Sequence, residues 1–199
     1  MPNIMRTVLK GARAIPALLC FLLLFRLYTP WQAVLSLLSV AAHEWGHIVV
    51  YYIMKKEWPR LGLQKGGLCL SSSVFTYRQE FFYAAGGIIG NLATTVLVLP
   101  FLHTAAGQHF VSVSLLYILF NILPAPPLDG EKMLRLLLTR LFSENSAYRA
   151  VRVSSLTVIA LFFIVSLYFF LGNGSCFYGI FISFCLLSAH CHTFSEFER

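Results

Sequence analysis

Six apolar runs, at 14–28, 31–54, 81–102, 110–128, 153–171 and 175–191, recur along almost the whole chain. A helix crossing a bilayer needs about 20 such residues, and only helices and closed barrels satisfy every backbone polar group in lipid. These runs therefore exclude an ordinary soluble domain. Composition agrees: 58% of residues are hydrophobic and 12% charged, against about 25% charged in a typical soluble domain. The fold class expected is an all-α polytopic membrane protein with about six transmembrane helices. The uncharged core of the first run, between Arg13 and Arg26, is only twelve residues, and the last run is short and rich in Phe, Ser and Cys. Either suits an interfacial or re-entrant segment as well as a span. Arg6, Lys10 and Arg13 before the first run also fit a signal peptide. No small-residue cleavage site follows, so a retained signal anchor is expected.

Charge placement orients these spans. With the N-terminus in the cytoplasm, fourteen of the fifteen Lys and Arg residues fall on inner segments, and Arg26 alone falls outside. The outer loops HTAAGQH and GNGS carry neither Lys nor Arg. Positive residues collect on the cytoplasmic side of membrane proteins, so both termini are expected there. The net charge of +7 is thus explained by topology, and no nucleic-acid-binding module accompanies it. Cys20, Cys69, Cys176, Cys185 and Cys191 lack C-x-x-C spacing and read as small hydrophobes, not a disulfide framework.

Within the second run, HEWGH places His43, Glu44 and His47 among apolar residues. Ionisable groups at bilayer depth are costly and mark function by default. Positions i and i+4 share one helix face, so both imidazoles can address one ion. Glu44 is rotated by about 100° and would lie beside that ion as a base. A catalytic zinc takes three protein ligands and keeps one position open. Asp129, the only aspartate, follows NILPAPPL at the same cytoplasmic end. The prolines at 124, 126 and 127 forbid regular helix there, and broken backbone at membrane depth is tolerated where it lines a cavity. Asp129 reads as the third ligand or as the N-cap of a following helix. His103, His109, His190 and His192 are poorer candidates, because they fall in the outer loop or near the inner tail.

Together, HEWGH and NILPAPPLDG resemble the site-2 protease family of intramembrane zinc metalloproteases, nearest the compact six-span bacterial sporulation type that activates a pro-sigma factor. The resemblance covers the second to fourth spans. It implies one zinc ion held by His43, His47 and Asp129, with Glu44 as catalytic acid and base. AAGGIIGNL, residues 84 to 92, resembles the family's glycine-rich segment, although Ile88 stands where many relatives carry proline. Asn121, and less directly Asn91, are expected to hold the substrate or its oxyanion; an interhelical hydrogen bond is the alternative for each. The chain reads as a single integral membrane metalloprotease domain over 1–199, with core 31–135, flanking helices 14–28, 153–171 and 175–191, and no PDZ or CBS domain. Residues 61–77 alternate leucines around Lys65-Gly66-Gly67, which predicts a β-hairpin on the membrane surface between the second and third spans. Its edge could pair with an extended substrate strand or simply shield the site.

The expected partners are a membrane-spanning or membrane-associated protein substrate, such as a transcription regulator, and a membrane regulatory partner, with no nucleic acid. Two other functions use the same residues: a metal-ion transporter, and an inactive family member acting as a scaffold.

Overall fold

Thr29 and Thr76 begin two helices with the same local device. In TPWQ and TYRQ, the amide N–H of the threonine donates to the side-chain carbonyl of the glutamine three residues on, at 3.0 Å in both cases. This satisfies a backbone donor that the helix itself leaves unpaired. The helices are α1 (Pro30–Lys55) and α2 (Tyr77–Val98), and between them the strands β1 (Leu61–Gln64) and β2 (Gly67–Leu70) pair antiparallel with Leu61 opposite Leu70. A 3-10 turn, Leu99–Phe101, leads to α3 (Ala105–Ile122); α4 (Asp129–Leu141), α5 (Glu144–Asn173) and α6 (Phe177–Phe197) complete the chain. The structure is a computed structural model that describes residues 29–58, 61–64, 67–70, 75–173 and 177–197. The expected first span, 14–28, lies outside the described residues.

Four helices are long and apolar enough to cross a membrane: Pro30–Lys55, Tyr77–Phe101, Ala105–Ile122 and Glu144–Gly172. Their outward side chains, among them Leu38, Leu97, Leu116 and Leu171, are exposed, as lipid contact requires. The chain is a membrane protein. The third of these spans differs from its apolar run at both ends. It starts at Ala105, because the Thr104 hydroxyl accepts from the Gly107 amide and starts the helix inside HTAAGQH. It stops at Ile122, because Leu123 turns extended ahead of the prolines. From residue 177 onward the last run, 175–191, lies in the helix α6.

The core is a three-helix cluster of α1, α2 and α3, with α4 resting against α2, α3 and α5, and α6 paired with α5. Glycines set the closest crossing. A methyl at Gly46 would collide with the Gly86 carbonyl and come within 2.9 Å of the Gly90 Cα, so α1 and α2 meet backbone to backbone. Small residues at such crossings allow the close packing that replaces the hydrophobic effect inside lipid. The proline segment is anchored from its far side: Ala125 and Leu128 pack with Ile159 of α5 and Leu186 of α6. That contact fixes the start of α4, and with it Asp129.

Candidate metal centre

His43 and His47 lie one turn apart on the buried face of α1, with 2% and 7% exposure. Their Nε2 atoms approach to 3.2 Å. Asp129 Oδ2 completes a triangle, 3.0 Å from His43 Nε2 and 3.1 Å from His47 Nε2. Ligand bonds of 2.0–2.1 Å around a tetrahedral zinc put neighbouring ligand atoms about 3.3 Å apart. The three edges nearly match that spacing, and two nitrogens and one hard oxygen form a donor set zinc accepts. Among the described residues these are the only three such side chains whose ligand atoms converge.

The surroundings fit the same ion. His47 Nδ1 lies 2.8 Å from the Tyr83 carbonyl, an acceptor only, so the proton sits on Nδ1 and the Nε2 lone pair faces the triangle. Gly87 of α2 faces both rings: a methyl there would strike Cε1 and Nε2 of His43 and come within 2.6 Å of His47 Nε2. Tyr117 of α3 sets its ring edge-on to His43 at 4.9 Å.

Asp129 is the first residue of α4, with Leu128 at the cap position. The N-cap reading of this residue does not hold, because Asp129 stands inside the first turn and Leu128 takes the cap position; the first turn still suits a carboxylate, and this one reaches the histidines. Lys132 Nζ donates to the other oxygen, Oδ1, at 3.1 Å, which leaves Oδ2 for the triangle.

A cleft of about 290 Å³ opens onto the triangle, lined by His43, His47, Asp129, Glu44, Asn121 and Lys132 among others. Glu44 is exposed to it and unpacked, where a base that must meet water belongs. Asn121 is buried on its wall and donates to the Tyr117 carbonyl at 3.0 Å. Asn91 is fully buried in α2 and is not part of the cleft wall. The other described histidines for which partners are seen sit elsewhere: His103 on the Pro100 carbonyl, His109 beside Ser36, and His190 beside Ser155.

Sequence reasoning did not reach the Tyr83 carbonyl, Lys132 or Tyr117. Lys132 had a local signal, standing one turn after Asp129; the other two are visible only once the helices pack.

No family model matches the chain. It is similar to a protein of Mycobacterium tuberculosis, found in strains Erdman and H37Rv, whose name is that of a zinc metalloprotease, Rip3. Identity is 33% over 147 aligned residues, covering 65% of this chain and 37% of the relative. The chain thus spans little more than a third of the length of the curated relatives it matches.

Proposed function

We propose that the chain is an intramembrane zinc metalloprotease of the site-2 type, nearest the sporulation group, cutting peptide bonds in membrane-embedded or membrane-associated proteins. One observation carries the reading: two histidine nitrogens and one carboxylate oxygen converge within 3.2 Å beside a glutamate that faces an open cleft. Similarity to a protein named as a zinc metalloprotease supports it. Zinc there would make water nucleophilic near neutral pH and polarise the scissile carbonyl. Glu44 takes the proton of the attacking water and returns it to the leaving amine. The Tyr83 carbonyl and Lys132 keep His47 and Asp129 in their ligating orientations. Asn121, on the cleft wall, offers an amide to the substrate backbone.

Substrate form follows from the chemistry: the peptide bonds of an intact helix are closed to attack, so substrate is expected to enter as extended chain, and the β1–β2 edge is a strand that could receive it. A membrane-tethered transcription regulator is the class of substrate in view, and the chain itself would have six spans with both termini in the cytoplasm. Transport is less well served, since the described residues hold no second cluster to which an ion could pass.

The test is Glu44→Gln, co-expressed in membranes with candidate single-span substrates, with zinc content measured on the purified protein. Cleavage is expected to disappear while zinc stays bound; undiminished processing overturns the assignment.

A further inference from the structure

Among the described residues, four buried side-chain polar atoms have no hydrogen-bond partner: His43 Nδ1, Asn91 Nδ2 and Oδ1, and Thr95 Oγ1. Buried polar groups are almost always satisfied by protein or by ordered water. Orphans scattered through a structure would mean little, but the packing of α2 on α1 gathers these three residues.

Gly87, one turn before Asn91, faces the rings of both histidines. A Cβ on Gly90, the residue immediately before Asn91, would meet the carbonyl oxygen of Ala42 at 2.7 Å. Asn91 is therefore level with His43 and, four residues on from Gly87, on the same face of α2. Thr95 continues that face by one more turn. Its hydroxyl departs from the usual local arrangement: Thr94 returns its hydroxyl to the Gly90 carbonyl at 3.0 Å, whereas Thr95 bonds nothing. Ser39, one turn outward from His43 on α1, is already occupied, its hydroxyl 2.9 Å from that of Ser114. Tyr117 covers the His43 ring from α3. Asn91 (0% exposed) and Thr95 (5% exposed) are thus buried on the face of α2 that Gly87 turns toward the histidines, at the level of His43 and one turn beyond it.

A histidine that ligates a metal through one nitrogen nearly always donates the other N–H to a fixed partner. His47 does so directly, to Tyr83. His43 has no such partner, and no direct bond joins it to Asn91 or Thr95. We propose that a buried water joins these groups: it accepts a hydrogen bond from His43 Nδ1–H and donates to Asn91 Oδ1 and to the Thr95 hydroxyl oxygen. Two to four polar partners are what a buried water requires, and the orphaned atoms supply them. Asn91 is then a positioning residue. It fixes, through water, the tautomer and ring orientation that present His43 Nε2 to the ion, and does not touch substrate. The inference rests on the zinc reading above.

Zn²⁺ affinity of the purified full chain, measured by competition with a chelator, tests it, with the melting temperature of the metal-free protein alongside. Asn91→Leu is expected to weaken Zn²⁺ binding about 10- to 100-fold, the range seen when such outer partners are removed, without lowering the metal-free melting temperature. Thr95→Val should weaken it about threefold. Asn91→Asp, which keeps the acceptor, should stay within about threefold of the parent protein. An Asn91→Leu affinity within about twofold of the parent overturns the proposal, as does weakening that appears only with a lower metal-free melting temperature. Should Asn91→Leu fail to fold, the other two variants decide: unchanged binding in Thr95→Val together with lost binding in Asn91→Asp overturns it. A parent protein that binds no Zn²⁺ sinks the metal reading itself, whereas a parent that binds and an Asn91→Leu variant that matches it sink the water site alone.

Discussion

A single hydrogen at position 87 separates the two imidazoles from a collision. Glycine inside a helix costs about 0.5–1 kcal/mol relative to alanine, so Gly87→Ala should stabilise α2 taken alone. The added methyl, however, would occupy the space of His43 Cε1 and Nε2 and press on His47 Nε2. Both rings are buried, which leaves them little room to yield. Gly87→Ala is expected to lower zinc bound per chain at least about tenfold while the protein still inserts and folds. Metal content by atomic spectroscopy checks this. Gly172→Ala is the control, since a Cβ there meets nothing within 4 Å, and its zinc content should equal the parent's. His43, Glu44, His47 and Asp129 are legible in the sequence because their chemistry is rare among apolar residues and their spacing is a helical turn. Gly87, Tyr83 and Lys132 are not, because their roles depend on which atoms of another element, or of another side chain, come to rest beside them.

Among the elements, α4 carries the largest conflict between its charges and its burial. Its first turn holds Asp129 and Glu131, both buried, and Arg135 spans from Glu131 Oε1 at 3.4 Å to Glu80 Oε1 at 3.6 Å. Burial pushes the Glu131 carboxyl up from its ordinary value, and Arg135 and Lys132 only partly counter this. The folded pKa therefore lies above the unfolded one, about 4.3. Folding then favours the protonated form: the contribution is fully present below about pH 4.3 and is lost as pH rises through the folded value. Glu131→Gln should raise the melting temperature at pH 7, and the gain should vanish near pH 4. Melting curves of the detergent-solubilised protein at the two pH values check this, and a parent protein more stable at pH 7 would mean that the Arg135 pair outweighs burial. The sequence announced α4 only faintly, because hydropathy marks apolar runs and this helix is amphipathic and short. It marks helix ends poorly for a related reason. The start of α3 at Ala105 is set by a threonine hydroxyl, and its end at Ile122 by prolines that an apolar run of 110–128 simply includes.

For the whole molecule, the question is where the cleft stands relative to the bilayer. The 26 residues of α1 extend about 39 Å, and His47 lies eight residues, about 12 Å, from the Lys55 end. In a hydrocarbon core about 30 Å thick, the histidines fall in the half nearest Lys55. The start of α2, the end of α3 and the start of α5 share that end, and with them come Lys56, Arg78, Lys132, Arg135, Arg140, Arg149 and Arg152. The turn at 102–104 on the far side has no Lys or Arg. If positive residues face the cytoplasm, the cleft opens there, and a protease of the proposed kind would release its peptide fragments on that side. Three exposed positions report this orientation: Glu57 after α1, His103 in the far turn and Ser143 between α4 and α5. Each is replaced by cysteine in a chain whose five native cysteines are removed, and intact cells are treated with a membrane-impermeant maleimide. His103→Cys should label in intact cells, and Glu57→Cys and Ser143→Cys only after permeabilisation. The reverse pattern would place the cleft outside and overturn the cytoplasmic assignment. Equal labelling of all three would mean that α1, α2 and α3 do not cross the bilayer, and a zinc site among them would then act on substrates at the membrane surface.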